Sequence, residues 1–249
     1  MVDLLIPVSA YITIIAVLCF ALSHLKLIKI KLNWSLASIA LFIGYWFAPS
    51  INADLLPLDR LFSSLAWPWA DKLSMILFSL FVLLLLSLLK KNFMLADAGF
   101  TFKQAPHSVI PAIKMLLLLL ACRFVFSSLF GGDDGSTDPE ELFFLAIMLG
   151  LDKELLYRGV LLYVMSQAIS SANYLIYGAK INIAGVLLVL LFALVNGLIW
   201  QNSYWNIFYI SIIFSSVYGL ALLWLREKTD SLLLPIIAHN STVFLGQLL

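Results

Sequence analysis

Apolar residues fall along this chain into long runs separated by short polar segments. A bilayer core of about 30 Å is crossed by roughly 20 apolar helical residues, and eight runs lie near that length. They cover residues 4–23, 34–53, 73–89, 111–130, 141–168, 181–200, 206–225 and 231–249. The pattern predicts an all-α fold, a polytopic transmembrane helical bundle of about eight membrane helices that forms one integral membrane domain over residues 1–249.

The cations between the runs orient the predicted helices, because short cytoplasmic loops gather lysine and arginine. If the helices alternate in direction, only Arg60 and Lys72 fall on the second side. The first side then contains Lys26, Lys29, Lys31, Lys90, Lys91, Lys103, Lys114, Lys180, Arg226 and Lys228. This distribution predicts a multi-pass protein of a bacterial-type inner or plasma membrane, with both termini outside the cytoplasm. The first run has no basic segment before it, so we expect it to be retained as a span rather than cleaved as a signal peptide.

Composition supports a membrane protein and excludes other classes. The 249 residues are 63% apolar and 12% charged, against about 25% charged in soluble domains. The formal net charge is +1, and without a basic patch we expect no nucleic-acid partner. No H-E-x-x-H spacing occurs, so we predict no metal and no other cofactor. We therefore predict that the lipid bilayer surrounds the protein.

The acidic segment 131–141 is predicted to lie outside the membrane and to begin a helix. Thr137 or Asp138 suits the N-cap, with Pro139 near the first helical position. Glu140 and Glu141 then lie in the first turn, where the helix dipole favours anions. About 13 residues later, roughly 20 Å along the helix, comes a motif that we therefore place in the inner half of the membrane.

That motif, Asp152-Lys153-Glu154-Leu155-Leu156-Tyr157-Arg158-Gly159, sets ionisable residues inside an apolar run. Charges at membrane depth cost roughly 2.5 to 3.5 kcal/mol each, and they usually face a bundle interior. Glu154 and Arg158 are four residues apart, so on a helix they share a face and can pair. The pair is either part of a functional site or a brace between helices.

Further polar residues lie deep in other runs. Asn196 interrupts one apolar stretch, and His239 with Asn240 follows a second. Arg123 lies within a third apolar run. A single intramembrane Asn or His is most often satisfied by hydrogen bonds between helices. Together with the Glu154 motif, however, these residues predict one shared polar cavity.

Three segments carry a resemblance to a known family. They are Glu154-Leu155-Leu156-Tyr157-Arg158-Gly159, Phe192-Ala193-Leu194-Val195-Asn196-Gly197, and the closing stretch from Gly219 through Ser231-Leu232-Leu233-Leu234-Pro235-Ile236-Ile237-Ala238-His239. In order and spacing they resemble the motifs of the CPBP family, which contains the type II CAAX prenyl proteases and the Abi proteins. The resemblance covers residues 138–249, and it implies a glutamate-dependent intramembrane endopeptidase.

The resemblance also implies roles for six positions. The family motifs read E-E-x-x-x-R, F-x-x-x-H, and H-x-x-x-N or H-x-x-x-D. The first glutamate and the second-motif histidine activate a water, and the third motif stabilises the oxyanion. Here Lys153 and Asn196 stand at the water-activating positions. Glu154 and Arg158 match the first motif, and His239 matches the third, with Val243 at its partner position.

These departures leave two hypotheses. Asn196 cannot act as a general base, and Lys153 could do so only with a strongly lowered pKa. We therefore favour a non-catalytic or strongly altered relative, a pseudoenzyme that binds a membrane-tethered peptide or membrane-protein partner, with Lys153 beside the cavity rather than in it. The alternative is an active peptidase that cleaves a membrane-tethered or prenylated peptide. It would use Glu154 as base, Asn196 to orient the water and His239 to donate to the oxyanion. Asn240 or Thr242 would partly stand in for the residue that Val243 replaces.

Overall fold

The computed structural model describes residues 2–55, 58–130 and 138–249, most of which are helical. The α-helices are α1 (Val2–His24), α2 (Leu32–Leu55), α3 (Leu58–Leu61), α4 (Trp69–Leu89), α5 (Val109–Phe130), α6 (Pro139–Glu154), α7 (Leu161–Ala168), α8 (Ile183–Gly197), α9 (Tyr209–Thr229) and α10 (Leu233–Leu248). A 3₁₀ turn spans Leu95–Ala98, and a π-helical turn, Leu155–Val160, joins α6 to α7. The mainly helical class predicted from the apolar runs is confirmed.

Within the described ranges, four helices are long and apolar enough to cross a membrane. They are Asp3–His24, Trp69–Leu89, Val109–Leu129 and Tyr209–Thr229. Helices α8 and α10 are apolar but have 15 and 16 residues. At 1.5 Å per residue they reach about 23 Å, less than a typical hydrocarbon core. The count of eight spans therefore stays a prediction.

Short strands that the apolar runs did not predict lie at the helix ends, where they form three two-stranded antiparallel sheets in the described residues. β1 (Ile28–Ile30) pairs with β2 (Ile169–Ser171), β3 (Asn173–Ile176) with β4 (Ala179–Asn182), and β5 (Leu198–Gln201) with β6 (Tyr204–Ile207). Because β4 and β5 flank α8, this helix covers residues 183–197 rather than the predicted 181–200. Arg226 and Lys228, predicted in a loop, belong to the last turn of α9.

The N-terminal ends of α4 and α6 meet at one carboxylate. Glu140, in the first turn of α6, accepts hydrogen bonds from the backbone N–H of Ala66 at 3.2 Å and of Trp67 at 3.0 Å. It also accepts one from the indole N–H of Trp69 at 3.0 Å. The N-cap of α6 is Asp138, whose side chain accepts a hydrogen bond from the backbone N–H of Glu140. Of the two predicted N-caps, Asp138 is confirmed, while residues 131–137, including Thr137 and most of the predicted outer loop, lie outside the described part.

The C-terminal ends of four helical segments meet at the other end of the fold. β1, which follows α1, pairs with β2, which follows α7. The side chain of Arg226, near the end of α9, donates to the backbone carbonyl of Asp97, shortly after α4. Lys90, at the end of α4, donates to the side chains of Tyr163 and Gln167 on α7. Helices α1, α4, α6–α7 and α9 therefore run in the same direction.

The largest buried apolar cluster surrounds the π turn. Leu156, Leu161, Leu222 and Leu225 are among its fully buried side chains. Helix α8 packs on α9, and α10 packs on α6. These contacts bring the segments that contain the three family-like motifs against one another.

Candidate functional site

The end of α6 and the π turn bring Glu154 and Arg158 together in the protein interior. One Arg158 guanidinium nitrogen, Nη1, lies 3.1 Å from Glu154 Oε1. The side chain of Glu154 is fully buried, and 3% of the Arg158 side chain is exposed. The predicted pair is confirmed, and its burial means that neither charge is compensated by water. A π turn in a regular helix is often found at functional sites.

His239 on α10 contacts the same carboxylate oxygen. Its Nδ1 lies 2.7 Å from Glu154 Oε1. Because an ionised carboxylate only accepts hydrogen bonds, this contact requires a proton on Nδ1 and leaves Nε2 as the acceptor in the neutral ring. Two of the three motif regions are thus joined through a single oxygen atom.

Helices α8 and α9 complete the surroundings of Arg158. Its Nη2 donates to the backbone carbonyl of Gly219 at 3.2 Å, and its guanidinium carbon lies 4.6 Å from the ring centre of Phe192. A Cβ at Gly219 would lie 3.2 Å from Val189 and 3.3 Å from Arg158 Nη2. The absent side chain lets the α9 backbone approach the guanidinium. Phe192 also makes an edge contact with His239, with ring centres 6.1 Å apart.

Lys153 and Asn196, which stand where the family motifs have the water-activating residues, contact each other. Lys153 Nζ donates to Asn196 Oδ1 at 3.3 Å, and it lies 5.6 Å from the ring centre of Phe192. The Asn196 amide N–H donates to the carbonyl of Phe192, one turn earlier, at 2.7 Å. The expectation that Lys153 lies beside the cavity stays a prediction. Although it is about 100° from Glu154 around the helix, its long side chain reaches α8.

The remaining third-motif positions have structural partners. Val243 packs at the apolar cluster of Trp69, Phe144 and Leu145. Asn240 accepts from the N–H of Gly150 at 2.7 Å and donates to the carbonyl of Ile147, so its amide joins α10 to α6. Thr242 bonds the hydroxyl of Tyr218. Both Asn240 and Thr242 already have hydrogen-bond partners, and their role in place of the side chain absent at Val243 stays a prediction.

A second buried charge network, which the sequence analysis missed, lies next to the first. Asp152 is fully buried, and its Oδ2 lies 2.7 Å from Lys72 Nζ on α4. The hydroxyl of Tyr45 on α2 lies 2.9 Å from both carboxylate oxygens. Lys72 was predicted in an outer loop, but it belongs to the first turn of α4. The depth of Asp152 in an apolar run was a signal that it needed a cationic partner.

Lys72→Met is expected to destabilise the protein by about 3 to 5 kcal/mol, because it removes the ion-pair partner of the buried Asp152 carboxylate. Adding Asp152→Asn should recover most of the loss, since the amide oxygen still accepts from Tyr45. Unfolding free energies measured in detergent test this, with Lys114→Met, an exposed lysine on α5, as the matched control. Equal stabilities for Lys72→Met and the double variant would contradict a buried charge pair.

Two polar atoms in this region have no hydrogen-bond partner among the described residues. They are Glu154 Oε2 and the hydroxyl of Tyr157. The Oε2 atom leaves one side of the Glu154 carboxylate available to a further donor. No group of three or more His, Cys, Asp or Glu side chains suited to a metal occurs in the described part of the chain.

The helices and the buried charges together define an integral membrane protein with an ionisable cluster in its interior. Residues 137–245, less than half of the chain, match the model of the family described as Type II CAAX prenyl endopeptidase Rce1-like. This match confirms the resemblance predicted from the three motifs, over almost the same residues. No curated protein and no solved structure matched the chain.

Proposed function

We propose that this protein is a non-catalytic or strongly altered relative of the intramembrane endopeptidases, which binds a membrane-tethered peptide or a membrane-protein partner. The observation that carries the proposal is the hydrogen bond between Lys153 and Asn196. It joins the two positions where, by the family resemblance, a glutamate and a histidine would activate a water. An ammonium group and an amide fill this place instead, and the amide cannot accept a proton from water.

Exposure suggests where a partner would meet the cluster. Glu154, Arg158 and His239 are buried, whereas Lys153 and Asn196 are partly exposed. A peptide can therefore contact the Lys153–Asn196 pair without separating the helices. Lys153 would donate to a carbonyl or carboxylate of the partner, and the Asn196 amide would orient it.

The second candidate, an active peptidase with Glu154 as base, is favoured by the unpartnered Oε2 atom. That atom could take a proton from a water. Two contacts act against it, because Arg158 and His239 both lie on Oε1. Both contacts use the carboxylate as a brace between helices.

The wild-type protein in nanodiscs is expected to cleave no member of a panel of membrane-anchored and prenylated peptides. Product formation, followed by mass spectrometry, should equal that of Glu154→Gln and of Lys153→Ala. Cleavage by the wild type that Glu154→Gln abolishes and Lys153→Ala retains would establish the second candidate instead.

We also propose a single multi-pass domain with eight spans and both termini outside the cytoplasm. The common direction of α1, α4, α6–α7 and α9 supports alternation, since these correspond to the first, third, fifth and seventh predicted runs. Their C-terminal ends meet beside the connections that hold most of the loop cations.

A further inference from the structure

A polar cavity of about 460 Å³ lies beside the C-terminal ends of α4, α7 and α9, separate from the Glu154 cluster. Its volume is in the range of small-ligand sites. Its polar lining includes Lys90, Asn92, Asp97, Ser166, Arg226 and Glu227. Neither the family match nor the proposed function assigns a role to these residues.

The two cations of this cavity form no ion pair with a carboxylate in the described part of the chain, although Glu227, Asp230 and Asp97 lie near Arg226. Arg226 is 6% exposed, and it donates to the backbone carbonyls of Arg158 at 3.2 Å and Asp97 at 3.1 Å. Lys90 donates to the side chains of Tyr163 and Gln167. Neither cation belongs to an ion pair within the described residues. Arg226 is buried, whereas Lys90 is partly exposed. An anion stabilises a buried cation, and arginine and lysine are side chains that bind phosphate.

The rest of the lining suits a ligand that also has a positive charge. The acidic residues Asp97 and Glu227 line the same space as Lys90 and Arg226. Asp97 Oδ2 accepts from the backbone N–H of Met94, so this carboxylate is fixed at the cavity. Two cations and two carboxylates match a zwitterion better than a simple anion.

The position of the cavity identifies the source of such a ligand. Lys90 directly follows α4, one of the helices apolar enough to cross a membrane. The residues just before it, Leu88 and Leu89, are 71% and 82% exposed. Lipid chains can therefore pack along α4 while a head group reaches Lys90. Basic pockets between membrane helices bind lipid head groups in this way.

We propose that this cavity binds the phosphoethanolamine head group of a membrane lipid. Lys90 and Arg226 contact the phosphate, and Glu227 with Asp97 contacts the ammonium group. A zwitterion whose nitrogen donates hydrogen bonds is preferred to phosphatidylcholine, whose trimethylated nitrogen has no N–H. It is also preferred to phosphatidylglycerol, whose head group has the phosphate as its only charged group and no ammonium.

Native mass spectrometry of the purified protein, loaded with each of the three lipids in turn, tests the proposal. We expect at least fivefold greater retention of phosphatidylethanolamine than of either other lipid. Lys90→Gln should lower this retention at least fivefold, whereas Lys91→Gln, at the adjacent exposed lysine, should not. Glu227→Gln should remove the preference over phosphatidylcholine, and Asp71→Asn, at an exposed acid in the first turn of α4, is its matched control.

Soluble competitors separate the sources of the phosphate group. O-phosphoethanolamine should displace the lipid at lower concentration than inorganic phosphate does. Equal retention of the three lipids, or identical behaviour of Lys90→Gln and Lys91→Gln, would overturn the proposal. So would tight binding of inorganic phosphate without lipid retention, which would assign the cavity to a free anion. If Lys90→Gln does not fold, the Glu227→Gln comparison decides the question.

Discussion

Replacing Lys153 with glutamate and Asn196 with histidine together is expected to produce peptidase activity that neither single substitution gives. The two side chains already contact each other across α6 and α8 at 3.3 Å, so a carboxylate and an imidazole placed there would face the same water. A positioned general base contributes about 10² to 10⁴-fold in rate. The double variant should therefore cleave membrane-anchored or prenylated peptides at a rate at least about 10²-fold above the background measured with the wild type.

The matched control is Lys153→Gln with Asn196→His, which has the same size and lacks the carboxylate. It should stay inactive if the glutamate acts as a base. Adding Val243→Asn to the double variant should raise the rate further, because by the family resemblance it restores the partner of His239. A folded double variant that cleaves nothing, with or without Val243→Asn, would show that the loss of the two bases does not explain inactivity.

Local helix geometry was sufficient to predict part of the site. Residues four apart on a helix lie on one face, and Glu154 and Arg158 pair for this reason. The contact of His239 with the same oxygen joins positions 85 residues apart. No periodicity in the chain predicts such a contact. The depth of both residues in apolar runs and the resemblance of the motifs placed them together.

The Asp152–Lys72 pair was missed because hydropathy alone defined the helix boundaries. The predicted run begins at residue 73, since Lys72 interrupts the apolar pattern. The helix itself begins at Trp69, and it includes Lys72 because the Asp152 carboxylate on α6 compensates the charge. A boundary set by hydropathy thus fails where a charge has a partner from another helix.

The sequence contains local turn signals for the short strands, which the apolar runs alone do not reveal. Asn202 and Ser203 have φ angles of 54° and 65°, as expected for a two-residue hairpin turn with both central residues left-handed. Trp200 and Trp205 lie opposite each other across that hairpin, with ring centres 5.2 Å apart. An Asn-Ser pair between two tryptophans was therefore a hairpin signal, although its residues were read as a helix end and a loop.

Glu154→Ala is expected to destabilise the protein by about 3 to 5 kcal/mol, the usual cost of removing one partner from a buried ion pair. The substitution would leave Arg158, 3% exposed, with the carbonyl of Gly219 and the ring of Phe192 as its contacts, and neither is an anion. Adding Arg158→Leu should recover most of the loss, because it removes the stranded charge and fills the space with apolar atoms.

Unfolding free energies of the wild type, the two single variants and the double variant form a thermodynamic cycle that isolates the coupling between Glu154 and Arg158. Glu141→Ala, at a partly exposed acid of the same helix, is the control, and its effect should lie within about 0.5 kcal/mol. His239 loses its carboxylate contact in both Glu154 variants, so that loss cancels when these two are compared. A double variant no more stable than Glu154→Ala would mean that Arg158 finds another anion or water once Glu154 is gone, and the cluster would then be an open polar cavity instead of a closed brace.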